Sequence, residues 1–478
     1  MVSKISKYLF SSIDDRNLSV VVFALLFSWL LAFPFEGQSL YALAAEYDFN
    51  PHNMMFASVI FHFLGLLSSG MFVSSLKGVK TTMVVTVLFC MAGSFVLLFP
   101  PSAFWAVFLA VSSFLMGCCV SAWSYYFKKY TPRNMRMITA ADSLIYSNLL
   151  MIAINVTSIK ISVYAGIFIS VAILGIGVFF ISNLKVEESK SACVSDGYKS
   201  QENSSLEKPL GLLCIFIVVI TVNSGLMYRV INPAFSNFEW LTSWYWAIPY
   251  IAAIYIMKNV PGSINRSYIL IVGIAMIGFA FIAFMTFGNT LINYLTVDTL
   301  ILGAFGVYDL FWWSILGEML EFHDNPSKIM GAGLSANVLG VLLGGVLGNL
   351  LIKTSSVKSN TSIAALVIIF IILIILPVLH KQLLMLLKNH AFLTIISDMT
   401  QEQRLSAKRN VTVIGNLTDR ESEIVELLLK GRTYKMVAEE LFLSENTVKT
   451  HIKNIYSKLN INSKAELIKL LADEYADR

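Results

Sequence analysis

Twelve apolar stretches of about twenty residues, nearly free of charge, run from Leu18 to Lys381 and constrain this chain more than any other feature. They fall near 17–35, 52–74, 81–99, 102–127, 137–159 and 161–183, and then near 210–232, 240–258, 267–287, 290–317, 328–352 and 362–380. Each is long enough to cross ~30 Å of hydrocarbon as a helix. With 56% hydrophobic and 14% charged residues, the chain lacks the polar surface a soluble multidomain enzyme needs. Between the two sets of six lies Lys185–Lys208, a Ser-, Glu- and Lys-rich segment with too few apolar residues to pack, read as a linker.

Loop charges orient the bundle. With the N-terminus in the cytoplasm, the inner loops and flanks carry sixteen Lys or Arg, from Lys4 through Lys128, Lys129, Arg133 and Arg136 to Lys328. The outer loops carry three, Lys160, Lys353 and Lys358. That imbalance predicts a protein of the bacterial cytoplasmic membrane with both termini inside. The first apolar run continues to Phe35 without a small-residue cleavage site, so it reads as a retained span. The five cysteines sit in spans or the linker, at spacings that suggest neither disulfides nor zinc.

Polar groups inside spans are costly and mark a cavity or a pair. Asp298 and Asp309 lie eleven residues apart on span ten, about three helical turns, and so project from nearly one face. Trp312 and Trp313 follow Asp309 by three and four residues. Span seven offers Asn223 and Arg229, span eleven Asn337, and span five Asp142, Asn148 and Asn155. The expected ligand-binding set for a small molecule is Asn223, Arg229, Asp298, Asp309, Trp312 and Asn337, a lining suited to an aromatic or cationic compound. Plainer roles stand beside it. Arg229 either snorkels to the outer surface or pairs with Glu36, Trp312 serves packing, and the run Trp240, Trp244, Tyr245 and Trp246 forms an interfacial belt. His62 reads as a hydrogen-bonded bundle histidine. Nothing composes a catalytic constellation, a metal site or a cofactor cradle.

The C-terminal segment has a different pattern. Thr418 and Glu421 form a capping box that opens a helix, and Gly431 closes it. Val437, Ala438 and Leu441 give a second helix its buried face. Ser444 then caps a third, which places Val448, Ile452, Ile455, Tyr456 and Leu459 on one side. Ser463 with Glu466 caps a fourth, whose apolar face could pair with a second copy. From Leu417 to Arg478 ten basic residues stand against eleven acidic ones, so net charge gives no sign of nucleic acid. The charge is sorted, however: between Lys449 and Lys469 the lysines Lys449, Lys453, Lys458, Lys464 and Lys469 stand against a single acid, Glu466.

The strings LTDRE at Leu417–Glu421 and TVKTHIKNIYSKL at Thr447–Leu459 resemble the start and the recognition helix of LuxR-type helix-turn-helix domains. The resemblance implies a DNA reader in which Lys449, Thr450 and Lys453 face bases while Thr447, Asn454 and Lys458 sit near phosphates. It also implies dimers on paired half-sites. Tyr434 and Met436 depart from it on the supporting helix. The membrane part, two six-span halves about a central linker, resembles the major facilitator superfamily in layout. Its loop after the second span, GMFVSSLKGVKTT from Gly70, lacks the Asp and Arg of that family's motif.

The expected fold is therefore all-α: a twelve-helix, six-plus-six transmembrane bundle with a C-terminal four-helix LuxR-type domain. The boundaries are 1–184 and 210–380 for the halves, 185–209 for the linker, 381–416 for a helical linker and hinge, and 417–478 for the DNA domain. The implied function is a membrane-embedded one-component transcription regulator with DNA, the bilayer and a small molecule as partners. The alternative is a transporter with a regulatory or vestigial DNA domain.

Overall fold

The computed structural model describes residues 14–35, 37–186, 199–238, 241, 244–260, 266–398, 417–429, 437–438, 441–459 and 461. The chain divides into two compact units, Met1–Leu379 and His380–Arg478. Every regular element among the described residues is helical.

In the first unit the elements are α1 (Asp15–Ala32), α2 (Gln38–Ala45), α3 (His52–Phe72), α4 (Leu76–Ser94), α5 (Ala103–Ala122), α6 (Ser124–Tyr130), α7 (Arg136–Lys160) and α8 (Val163–Asn183). Beyond residue 198 come α9 (Lys199–Leu226), α10 (Ala247–Asn259), α11 (Arg266–Thr286), α12 (Leu291–Met319), α13 (Pro326–Leu351) and α14 (Val357–Asp398), the last of which continues past Leu379. Eleven helices among the described residues are long and apolar enough to cross a membrane. The remaining expected span is α10, whose 13 residues begin at Ala247 rather than near Trp240. The protein is a multi-pass membrane protein, with large apolar side chains such as Phe72, Phe104 and Ile374 exposed on the outside of the bundle, where lipid covers them.

Two further elements differ from the sequence expectation. The short helix α2 fills the loop between the first two spans. Helix α9 begins at Lys199, inside the stretch read as linker, because Ser, Gln, Glu, Leu and Lys there tolerate helix while the segment stays polar; Pro209 lies within it. Residues 187–198 of that linker, the hinge 410–416, Gly431, Tyr434, Met436 and the fourth C-terminal helix lie outside the described residues.

The halves pack internally through α3 on α5 and α9 on α13, and across to one another through α3 on α13 and α7 on α10 and α12. Small residues set the closest crossings. A Cβ at Gly344 of α13 would run into the carbonyl oxygen of Val222 on α9, and one at Gly331 into that of Leu66 on α3. Glycine at these two positions lets the backbones meet.

At the end of the bundle where α1 starts, here termed proximal, ion pairs join the halves. Asp142 of α7 takes Arg16 of α1 at 2.6 Å and Lys258 of α10 at 2.5 Å. Glu321, just beyond α12, pairs with Arg133 at 3.3 Å and with Arg136, whose side chain is 2% exposed. Arg136 also donates to the Gly317 carbonyl at 2.7 Å.

In the second unit α15 (Asp419–Leu429) and α16 (Glu445–Lys458) pack around Leu417, Ile424, Val425, Leu427, Val437, Ala438, Val448, Ile452, Ile455, Leu459 and Ile461. The caps form as their residues dictate. Thr418 N–H donates to Glu421 Oε2 at 2.9 Å and Glu421 N–H to Thr418 Oγ1 at 3.3 Å. Ser444 Oγ accepts from Thr447 N–H at 3.1 Å. Between the second and third helices, Phe442 takes the left-handed conformation, φ 54°, while Leu443 N–H reaches back to Ala438 O at 2.7 Å. This is a Schellman-type stop in which a fully exposed Phe stands where Gly or Asn is usual.

Candidate DNA interface and membrane cavity

Burying Val448, Ile452, Ile455 and Leu459 fixes the rotation of α16 and therefore what it shows to solvent. Thr447, Lys449, Thr450, Lys453, Asn454 and Lys458 are all exposed. Several of them are partly occupied, Thr447 among them, whose Oγ1 lies 2.7 Å from Ser444 Oγ. Thr450 Oγ1 donates to Asn446 O at 3.0 Å, within its own helix. Lys458 Nζ meets Glu421 Oε2 at 2.6 Å, so this lysine braces α16 against the start of α15. Glu421 is nearly buried, which alone would raise its pKa; the hydrogen bonds from Lys458 and Thr418 outweigh that and hold the carboxyl below its ordinary value. Arg420 ties the same helix to the turn by donating to Leu441 O at 2.6 Å. The face that remains carries amine, hydroxyl and amide donors at helical spacing, the chemistry that a major groove accepts.

Between the two membrane halves lies a cavity of about 660 Å³. Its lining reaches out to Asn50 and Ser236, exposed at the distal end. At its base the rings of Phe23, Trp123 and Trp313 pack together, with centroids 4.5 Å, 5.6 Å and 6.3 Å apart, and the Asp142 and Glu321 ion pairs lie beyond them.

Arg229, Asp298, Asp309 and Asn337 line this cavity together. Asn223 and Trp312 are buried outside its lining: Asn223 Nδ2 donates to Ile220 O at 3.1 Å, and Trp312 is 1% exposed with no partner for its indole N–H among the described residues. Trp313, one residue on and turned by about 100°, is the member of the pair that lines the cavity. Asp309 accepts from the Tyr250 hydroxyl at 2.6 Å, whereas Asp298 Oδ2 has no hydrogen-bond partner among the described residues. Arg229 is held by Asn349 and by His52, whose Nδ1 lies 3.4 Å from Nη1. Glu36, the other expected partner, lies outside the described residues.

Sequence reasoning did not single out Tyr228, Tyr250, His52 or Asn349, all of which line the cavity. One signal was available. Pro233 has no N–H to return to Arg229 O, and the chain answers with a π-helical turn at Met227–Ile231. Met227, Tyr228 and Arg229 all line the cavity, although three consecutive residues of an α-helix spread over about 200°. The Asn232–Pro233 pair marks that break.

Residues 415–471 match the family model described as bacterial regulatory proteins, luxR family. The spore germination protein GerE of Bacillus subtilis is 44% identical over 52 residues, 11% of this chain and 70% of that protein. The chain belongs to the LuxR family of bacterial regulatory proteins. Other relatives match over similarly short stretches. The nitrate/nitrite response regulator protein homolog of Haemophilus influenzae is 37% identical over 70 residues, 15% of this chain and 34% of that one. The transcriptional regulatory protein LiaR of Bacillus subtilis is 49% identical over 51 residues, 11% and 24% respectively. The chain thus spans about a third or less of the length of these two regulators. Among solved structures, the human organic anion transporter MFSD10 (TETRAN) matches with a TM-score of 0.57 and 12% identity, over 76% of this chain and 100% of that one. A variant of the fucose:proton symporter FucP of Escherichia coli gives 0.55 and 12%, over 76% and 98%. The LuxR-type DNA-binding domain is therefore joined to a membrane domain with the fold of major facilitator transporters.

Proposed function

We propose that this protein is a one-component transcription regulator of the cytoplasmic membrane, in which a small molecule entering the cavity between the halves alters how the LuxR-type domain engages DNA. The observation that carries the reading is the presence, on one polypeptide, of a LuxR-family DNA reader and a membrane bundle with a sizeable cavity that carries Arg229, Asp298 and Asp309 in its lining. The concentration of Lys and Arg at the proximal end supports placing that end, and both termini, in the cytoplasm, where DNA is. Lys449, Thr450 and Lys453 meet base edges; Thr447 and Asn454 meet phosphates, and Lys458 joins them only on leaving Glu421. A pair of protomers reads two half-sites. A coupling of about 1–3 kcal/mol between ligand and DNA is enough for a several-fold to hundredfold response.

Selection of genomic DNA fragments by the full-length protein in nanodiscs tests this. Recovery of a defined sequence, lost in the Lys449→Ala, Lys453→Ala double variant, supports the regulator. No enrichment by well-folded protein overturns it, and the likeness of the bundle to two transporters then favours transport, to be read as substrate uptake into proteoliposomes.

A further inference from the structure

We infer that the cavity takes an organic amine, with the ammonium group on Asp298 and an apolar, aromatic body among the surrounding rings. This rests on the reading of the bundle as the ligand-binding part. Asp298 is 5% exposed, lines the cavity and leaves Oδ2 without a partner. A buried carboxylate oxygen with nothing to accept from is costly, and a cation brought by a ligand removes that cost. The other charged groups of the lining are already engaged: Asp309 by Tyr250, and Arg229 by Asn349 and His52. Asp298 is where the cavity has an unmet demand for a donor.

The surroundings specify the rest of the molecule. Tyr294 lies one helical turn before Asp298 on α12 and lines the same wall, where a ring face favours an adjacent cation. Trp246 also lines the cavity, and its indole N–H is buried without an acceptor, so an amine that also carries a hydroxyl or carbonyl oxygen satisfies two orphaned groups at once.

Three probes of nearly one shape and different charge test this: phenethylamine, 2-phenylethanol and phenylacetate, titrated calorimetrically into full-length protein in nanodiscs with empty nanodiscs subtracted. Phenethylamine should bind about ten- to hundredfold tighter than the alcohol, the gain of a charge-assisted hydrogen bond, and phenylacetate weakest. Asp298→Asn should bring the amine down to the alcohol and leave the alcohol unchanged. Equal binding of amine and alcohol, an amine preference that survives Asp298→Asn, or no binding of any probe by cooperatively unfolding protein overturns the inference. Tightest binding of phenylacetate also overturns it and moves charge recognition to Arg229. Where Asp298→Asn does not fold, the wild-type order decides alone. Protein that selects a DNA sequence yet ignores the amine keeps the regulator reading and loses only this ligand class.

Discussion

Replacing Asp142 with Asn removes the anion that Arg16 and Lys258 share. The carboxylate and Arg16 side chains are each 11% exposed and that of Lys258 is 24%, so the three groups lie largely out of water. Removing one partner of a buried pair costs about 3–5 kcal/mol, and the wetter Lys258 lowers the expectation here to roughly 2–4 kcal/mol. Lys258→Met is milder, about 1 kcal/mol, because Asp142 keeps Arg16, whose Nε is also fixed by Thr139 at 2.6 Å. In the double variant the orphaned lysine is gone, so the losses should fall short of their sum by about 1 kcal/mol or more. Unfolding by SDS titration in mixed micelles measures all three. Additive losses, or an Asp142→Asn loss no larger than that of Lys258→Met, would refute the shared-anion reasoning.

Four variants of the second unit have defined outcomes. Phe442→Gly relieves a left-handed Cβ worth about 1–2 kcal/mol and gives back part of it in unfolded-state entropy, for a net gain of about 0.5–1 kcal/mol in thermal unfolding of the DNA-binding unit. Glu421 has its folded pKa held below the ordinary value of 4.5, so its contribution is present above that pH and is lost as pH falls through the lower folded value; Glu421→Gln should flatten the acid limb of the stability profile, read by circular dichroism. Lys453→Ala should cost about 1–3 kcal/mol on the selected DNA and relax preference at one base pair, whereas Asn454→Ala should weaken binding evenly across sequences, both by competition titration.

How far the sequence carries depends on whether a feature is local. The cap at Thr418 and Glu421, the cap at Ser444 and the buried stripe of α16 are set by residues within a turn or two of one another, and they form as their spacing implies. Apolar length likewise marks the spans, since hydrocarbon demands it. The cavity is different, because its lining depends on helix rotation and on contacts between residues far apart in sequence. Asp298 and Asp309 share a face by helical arithmetic and do line it together. Trp312 and Trp313 are neighbours, and only packing against Phe23 and Trp123 settles which one turns inward. The joining of Asp142 to Lys258 and of Arg136 to Glu321 pairs residues 116 and 185 positions apart, beyond any local pattern.

The π-turn at Met227–Ile231 holds one residue more than the α-helical path requires. That surplus is slack in the chain. Were the turn to tighten to α geometry, the residues on either side would rotate against each other by about 100° and slide by about 1.5 Å. Arg229 would then swing away from Asn349 and His52, and the cavity wall would change shape without any span unfolding. A helix with a spare residue beside a cavity can be lengthened or shortened in place, so a one-residue deletion here removes the bulge rather than the helix.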